Sequence, residues 1–193
     1  MINYGILDSS IKFYEDFGFK RIESPWLVSE DISNITKPDP NIVDYKVEYN
    51  GKVLVASGEQ SFLYMFVKGF LPKGRYQTIT PCFRKESFTA LNSKYFIKNE
   101  LIDTINVSYE SLDDTVNMCL SFFQKYIPEV TVVEQKDDRS EKAYDIVYGP
   151  YEIGSYGIRS YMQLEWTYAT GVAEPRLSKL IDLRTREANG ISQ

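Results

Sequence analysis

There is no histidine among the 193 residues, and there are only two cysteines, Cys82 and Cys119. The first absence removes every mechanism built on an imidazole base, the serine–histidine–aspartate triads included, and the histidine-containing zinc sites. Two cysteines make no disulfide framework, which fits a reducing, cytoplasmic setting. No apolar run approaches the length of a membrane span, and the opening "MINYGILDSSIKFYEDF" has neither the basic start nor the apolar core of a leader. Positive charge is also scarce, since 22 basic residues face 27 acidic ones for a formal net charge of −5. A free-standing nucleic-acid binder neutralises phosphates with a basic face. No such face is legible, which argues against a strong grip on tRNA or DNA.

What is present suffices for a core. The chain is 43% hydrophobic and 15% aromatic, and at this length we expect a single domain over residues 1–193. "DSSIKFYEDFGF" reads as a helix capped by Asp8 or Ser9 and closed by Gly18, with Leu7, Ile11 and Tyr14 at helical spacing. Pro25 interrupts the extended "FKRIESPWLV" and belongs at an edge or bulge. "KPDPNIVDY" reads as a loop, and "YKVEYNGKVLVA" as a hairpin with Asn50-Gly51 at its tip. A helix runs from Ser57 to Gly69, followed by strands in "RYQTITPCFRKES" and "NSKYFIKNELIDTIN" joined by a polar loop at Ser87 to Asn92. "SLDDTVNMCLSFFQKYI" is a helix with Ser111 and Asp114 as a capping box and Leu112, Val116, Cys119, Leu120 and Phe123 as its buried stripe. Strands follow in "EVTVVEQ" and "AYDIVYG", then at 151–158 and 160–168. A last helix opens at Pro175 and turns Leu177, Leu180 and Ile181 inward. Hairpins between helical ends make this an α+β fold, an antiparallel sheet flanked by helices.

Four places carry candidate chemistry. "DIVYGPYEIGSYGIR" spaces Asp145, Glu152 and Arg159 at intervals of seven around "GPY" and "GSYG" turns, so that polar groups aim at one place; the alternative is a surface ion pair between Glu152 and Arg159. "CFRKES" sets Arg84 and Glu86 two apart, on one face of a strand, able to hold a phosphate and a base edge or simply to meet solvent. Phe96, across the loop, is a stacking platform for a planar ring or an ordinary core residue. "TGVAEPRLSKL" places Gly171 in a turn and Arg176 in the first turn of a helix, where anions are attracted. Glu59, in "SGEQS", starts a helix, where it serves as a cap or as a charged site group.

The stretches "FYEDFGFKRIESPWLVSED", "SGEQSFLYMFVKGF…RYQTITPCFRKES…KYFIKNE", "DIVYGPYEIGSYGIR" and "TGVAEPRL" stand in the order of the class II aminoacyl-tRNA synthetases, and the chain most resembles the aspartyl, asparaginyl and lysyl group. The first is similar to motif 1, a helix and a proline-bearing strand, here Pro25, at a dimer interface. Phe83 to Glu86 resembles motif 2, and the segment ending in Arg176-Leu177 resembles motif 3. The resemblance implies a homodimer that binds ATP with Mg²⁺ and activates an amino acid or related carboxylate as its adenylate. By carry-over, Arg84 grips the α-phosphate and substrate carboxylate, Glu86 reads the adenine amino group and Phe96 stacks on the adenine. Arg176 holds the γ-phosphate, Asp145 and Glu152 hold the metal, Arg159 meets the substrate's side chain, and Glu59 lies near its ammonium group. In-line attack at the α-phosphorus needs positioning and charge neutralisation rather than a protein base, so the lack of histidine is no obstacle.

The chain also departs from that pattern. Ala173 stands where motif 3 has a second glycine, Pro175 where it has an acid, and Phe62 where the aspartyl enzymes carry a lysine that recognises aspartate. Motif 1 begins almost at Met1, so no anticodon-binding domain is expected, and with the acidic charge this weakens the case for tRNA as acceptor. Ammonia, as in asparagine synthetase A, or another small amine are the other acceptors. The competing reading is a non-catalytic paralogue that acts as a regulatory or binding subunit.

Overall fold

The computed structural model describes residues 1–39, 41–85, 91, 93–137 and 140–190. Helix α1 (Tyr4–Asp16) starts earlier than the sequence pattern suggests, because Asn3 caps it by accepting the Ile6 N–H, whereas Asp8 lies within the helix and pairs with Lys12. Gly18, at φ 83°, ends it as expected. Strands β1 (Lys20–Arg21) and β2 (Leu27–Val28) bracket Pro25, which belongs to neither, and helix α2 (Glu30–Thr36) follows. Gly51 makes the expected turn at φ 65°, yet the segment before it contributes a single bridge, Lys46 to Val53; the ladder partner of β3 (Val53–Leu54) is β2.

Helix α3 (Gly58–Val67) is capped by Ser57 and stopped at Gly69, as read from the sequence. Strands β4 (Arg75–Phe83) and β5 (Tyr95–Asp103) come next; of the stretch from Ser87 to Asn92, read as a polar loop, only Leu91 falls among the described residues. Helix α4 (Tyr109–Gln124) is capped by Ser108, whose hydroxyl accepts the Ser111 N–H, so Ser111 and Asp114 are not its capping box. Its buried stripe holds Leu112, Val116, Cys119 and Phe123 as expected, with Met118 and Phe122 added, and Leu120 only partly covered. Strands β6 (Thr131–Asp137), β7 (Ser140–Tyr148), β8 (Tyr151–Tyr161) and β9 (Leu164–Glu174) lead into helix α5 (Arg176–Ala188), whose cap position is Pro175 and which buries Leu177 and Leu180. The turn joining β8 to β9 is at Met162, so "GSYG" is mid-strand and not a turn, and Gly171 lies inside β9 rather than in a turn.

The main sheet has the order β1-β4-β5-β9-β8-β7-β6, antiparallel throughout except for the β1–β4 edge. Neighbouring residues on a strand face opposite sides, and both sides find a core. Leu101, Ala169, Val172, Ile146 and Tyr156 pack under α1, α4 and α5. Ile102, Tyr168, Trp166 and Tyr76 face the other way, against Phe62 and Leu63 of α3, Ile32 of α2 and the β2–β3 ribbon. The second cover is shorter, and the polar stretch of that face beyond it forms the floor of a cleft. The aromatics of "FYEDFGF" do not supply a free apolar face: Tyr14 and Phe19 are buried, Phe13 packs on Phe122, and Phe17 is the exposed member.

Candidate active site

The cleft has a volume of about 680 Å³. Its floor is laid out by strand parity. Lys98 and Glu100 alternate toward it from β5, Ser155 and Arg159 from β8, and Tyr168 from β9. On the ladder Glu100 faces Thr170, whose hydroxyl takes the Ser155 N–H at 3.2 Å, and Ser155 pairs with Asp145. Paired residues project to one side, so Asp145 shares the cleft face.

Glu152, Ser155 and Arg159 present a parity problem. Glu152 and Arg159 are seven apart on one strand, an odd number that would send them to opposite faces. A register shift between Ile146 and Val147 corrects this: Gly154 opposes Ile146 and Glu152 opposes Val147, two residues along from Asp145. The bulge therefore brings Asp145, Glu152 and Arg159 to the same face, while Ile153 stays in the core. Gly154 is required there, because a Cβ would come within 2.4 Å of the Tyr156 hydroxyl.

Glu59 is not a helix cap. Ser57 fills that role by accepting the Glu59 N–H, and the buried Glu59 carboxylate turns into the cleft. There Arg159 Nη1 donates to its Oε2 at 2.6 Å and Trp166 Nε1 to its Oε1 at 2.7 Å, while the Arg159 guanidinium lies 3.9 Å from the Tyr168 ring centroid. The surface pair between Glu152 and Arg159 is not the pairing adopted; Glu152 is met by Arg176 Nη1 at 3.4 Å. Beside Glu59, Glu100 accepts from Lys98 Nζ and from the Ser57 hydroxyl, both at 2.7 Å. Ser57, Lys98, Glu100, Trp166 and Tyr168 escape a motif-led reading, although the period-two spacing of Phe96, Lys98 and Glu100 was a usable signal.

Arg84 follows the end of β4, its Nε donating to Ala56 O at 3.1 Å and its guanidinium 5.1 Å from the Phe96 ring centroid. Arg84, Phe96, Ala173, Pro175 and Arg176 line a second crevice of only about 10 Å³ that adjoins the cleft through Arg84. Glu86 lies outside the described residues. Burial pushes the Cys82 and Cys119 thiols up to about 12, so both stay protonated at neutral pH and neither is a nucleophile.

Among the described residues no cluster of three or more His, Cys, Asp or Glu side chains is set to hold a metal. Asp145 and Glu152 supply a different kind of donor set: hard carboxylate oxygens on neighbouring strands and one face, suited to magnesium when phosphate oxygens complete the shell. Among the described residues, no helix is long and apolar enough to cross a membrane.

A mostly antiparallel seven-stranded sheet, with helices packed on both faces and a cleft open on one of them, is the fold of the class II aminoacyl-tRNA synthetase catalytic core. The chain is similar to a pyrrolysyl-tRNA synthetase, PylSc, of Desulfitobacterium hafniense at a TM-score of 0.75 and 15% identity, over 93% of this chain and 68% of that one. It is similar to the seryl-tRNA synthetase of Pyrococcus horikoshii complexed with ATP at 0.72 and 18%, over 91% and 50%, and to the cytoplasmic serine–tRNA ligase of Naegleria fowleri in complex with AMP at 0.71 and 17%, over 90% and 52%. The chain thus spans about two thirds of the pyrrolysyl enzyme and about half of the seryl enzymes. These likenesses establish the class II fold and not an aspartyl, asparaginyl or lysyl type. No family model and no curated protein matches the sequence.

Proposed function

We propose that this core binds ATP and activates an amino acid or related carboxylate as its adenylate, which tRNA, ammonia or another small amine then takes up. The observation that carries the reading is the convergence of Arg84, Phe96 and Arg176 on one crevice that shares Arg84 with the 680 Å³ cleft. Phe96 offers a face to the adenine once Arg84 leaves it for the phosphates, and Glu86 is assigned to the adenine amino group. Arg176, in the first turn of α5, is assigned to the γ-phosphate, and its loose contact with Glu152 is readily exchanged. Asp145 and Glu152 would hold Mg²⁺, which when bound neutralises charge on the phosphates.

In the reaction one carboxylate oxygen of the substrate bonds to the α-phosphorus as the bond from that phosphorus to the bridging oxygen breaks. Pyrophosphate leaves with the electron pair. Arg84 orients both partners and offsets the charge that develops between them. Glu59 and Arg159 are assigned to the substrate pocket. We further propose a cytoplasmic homodimer of single catalytic domains, with Phe17 and Trp26, both exposed and flanking the Pro25 segment, at the interface. The aspartyl-group resemblance of "DIVYGPYEIGSYGIR" supports the substrate-side assignments; Phe62 in place of lysine speaks against aspartate itself.

A second reading, a regulatory or binding subunit without turnover, draws on Ala173 and Pro175, which line the crevice where the family pattern has glycine and an acid. ATP–pyrophosphate exchange across a panel of carboxylates separates the two. Exchange with any member supports the enzyme, and ATP binding without exchange supports the paralogue. Sedimentation at micromolar concentration tests the dimer.

A further inference from the structure

Among the described residues, the four carboxylates that line the cleft, Asp44, Glu59, Glu100 and Glu152, are each matched by a cation of the chain itself. Asp44 meets Lys37 at 2.7 Å, Glu59 meets Arg159 at 2.6 Å, Glu100 meets Lys98 at 2.7 Å, and Glu152 meets Arg176 at 3.4 Å. The first three pairs are buried, with the Glu59 and Glu100 side chains only 5% and 1% exposed. All four oxygens of Glu59 and Glu100 take a donor, the remaining two from Trp166 and Ser57. Arg84 and Lys85 then add positive charge at the cleft wall. A zwitterionic amino acid would have to set its ammonium against a buried carboxylate that another cation already holds. Two cations would then be in contact in a poorly solvated site, an arrangement that like-charge repulsion disfavours. A plain carboxylate faces no such conflict, since it brings only the negative charge that Arg84 and its neighbours attract.

Resting on the adenylation reading, we propose that the carboxylate taken by this cleft carries no α-ammonium group, and that Lys98 supplies from within the chain the positive charge that Glu100 would otherwise draw from an amino acid. The substrate class is then a hydroxy, oxo or unsubstituted carboxylic acid. Arg159, held between Glu59 and Tyr168, leaves the substrate's side chain, where there is one, a polar but charge-balanced pocket.

The test uses matched acids that differ only at Cα, such as lactate and alanine, phenyllactate and phenylalanine, and malate and aspartate. Binding is followed by calorimetry with ATP and Mg²⁺ present, and adenylation by pyrophosphate exchange. The wild-type protein is expected to favour the member without nitrogen by at least about tenfold. Lys98→Gln, which uncovers Glu100, is expected to erase or reverse that preference. Tighter binding of the amino acids by wild-type protein overturns the proposal and leaves adenylation standing. Binding of the nitrogen-free acids without exchange upholds the proposal and ends the adenylation reading. Failure of every acid to bind overturns the proposal too. The wild-type comparison needs no variant to fold.

Discussion

Arg159 and Glu59, 100 residues apart in the chain, meet at 2.6 Å on the cleft floor, joining β8 to the first turn of α3. Both side chains are nearly buried, so removing one partner strands the other's charge. Glu59→Gln or Arg159→Leu should each lower stability by about 3–5 kcal/mol, whereas the double variant should recover much of that loss. Denaturant midpoints of the two single variants and the double variant check the coupling. Additive losses would mean that the pair carries no shared energy.

Nucleotide binding should depend on the arginines at the crevice. Replacing Arg84 or Arg176 by alanine removes a charge-assisted phosphate contact worth roughly 1.5–3 kcal/mol, which is about ten- to a hundredfold in ATP affinity. The thermal midpoint should change little, because the Arg176–Glu152 contact is part-exposed and of the kind worth at most about 1 kcal/mol. Calorimetric titration with ATP measures it, and unchanged affinity in both variants would remove the phosphate assignments.

Magnesium should depend on Glu152. Glu152→Gln keeps the shape and removes a negative ligand, so the magnesium concentration for half-maximal ATP binding should rise with the fold intact. A magnesium titration identical to that of the parent would leave the acid without a metal role.

The bulge at Gly154 is a structural requirement with a functional consequence. Gly154→Ala drives a Cβ to 2.4 Å from the Tyr156 hydroxyl, which is buried and donates to Thr170 O at 2.9 Å, so the ring has nowhere to retreat. Overpacking of this kind costs about 1–3 kcal/mol. We expect a lower thermal midpoint together with weakened magnesium dependence, since Glu152 loses its register.

Stability should also carry an acid titration from Glu174. Burial raises its pKa above the ordinary 4.5, partly opposed by hydrogen bonds from Ser178 and the Asn3 N–H. A raised carboxyl pKa favours folding below pH 4.5 and loses that contribution as pH climbs through the folded-state value. Relative to Glu174→Gln, the wild-type protein should therefore become less stable as pH rises from 4 to 7. Parallel urea melts across that range test the sign.

The sequence by itself determined the order of most elements, helix α2 excepted, the α+β class, the helix caps and stops at Ser57, Gly18 and Gly69, and the grouping of Arg84, Phe96 and Arg176, which line one crevice. These are local matters: turn chemistry, hydrophobic period and motif order are written in neighbouring residues. Only the tertiary structure decided which face each polar residue takes and which partner it meets. The seven-residue spacing of Asp145, Glu152 and Arg159 converges because a bulge corrects its parity, and a one-residue shift in a ladder leaves no mark in composition or period. In the same way Glu59 reads as a cap or as a site group until Ser57 is seen capping the helix, and nothing in the local sequence marks Lys98 and Glu100 as the pair that the sheet buries together. Charge pairing in a buried cleft depends on distances between strands far apart in sequence, and those distances exist only once the sheet has formed.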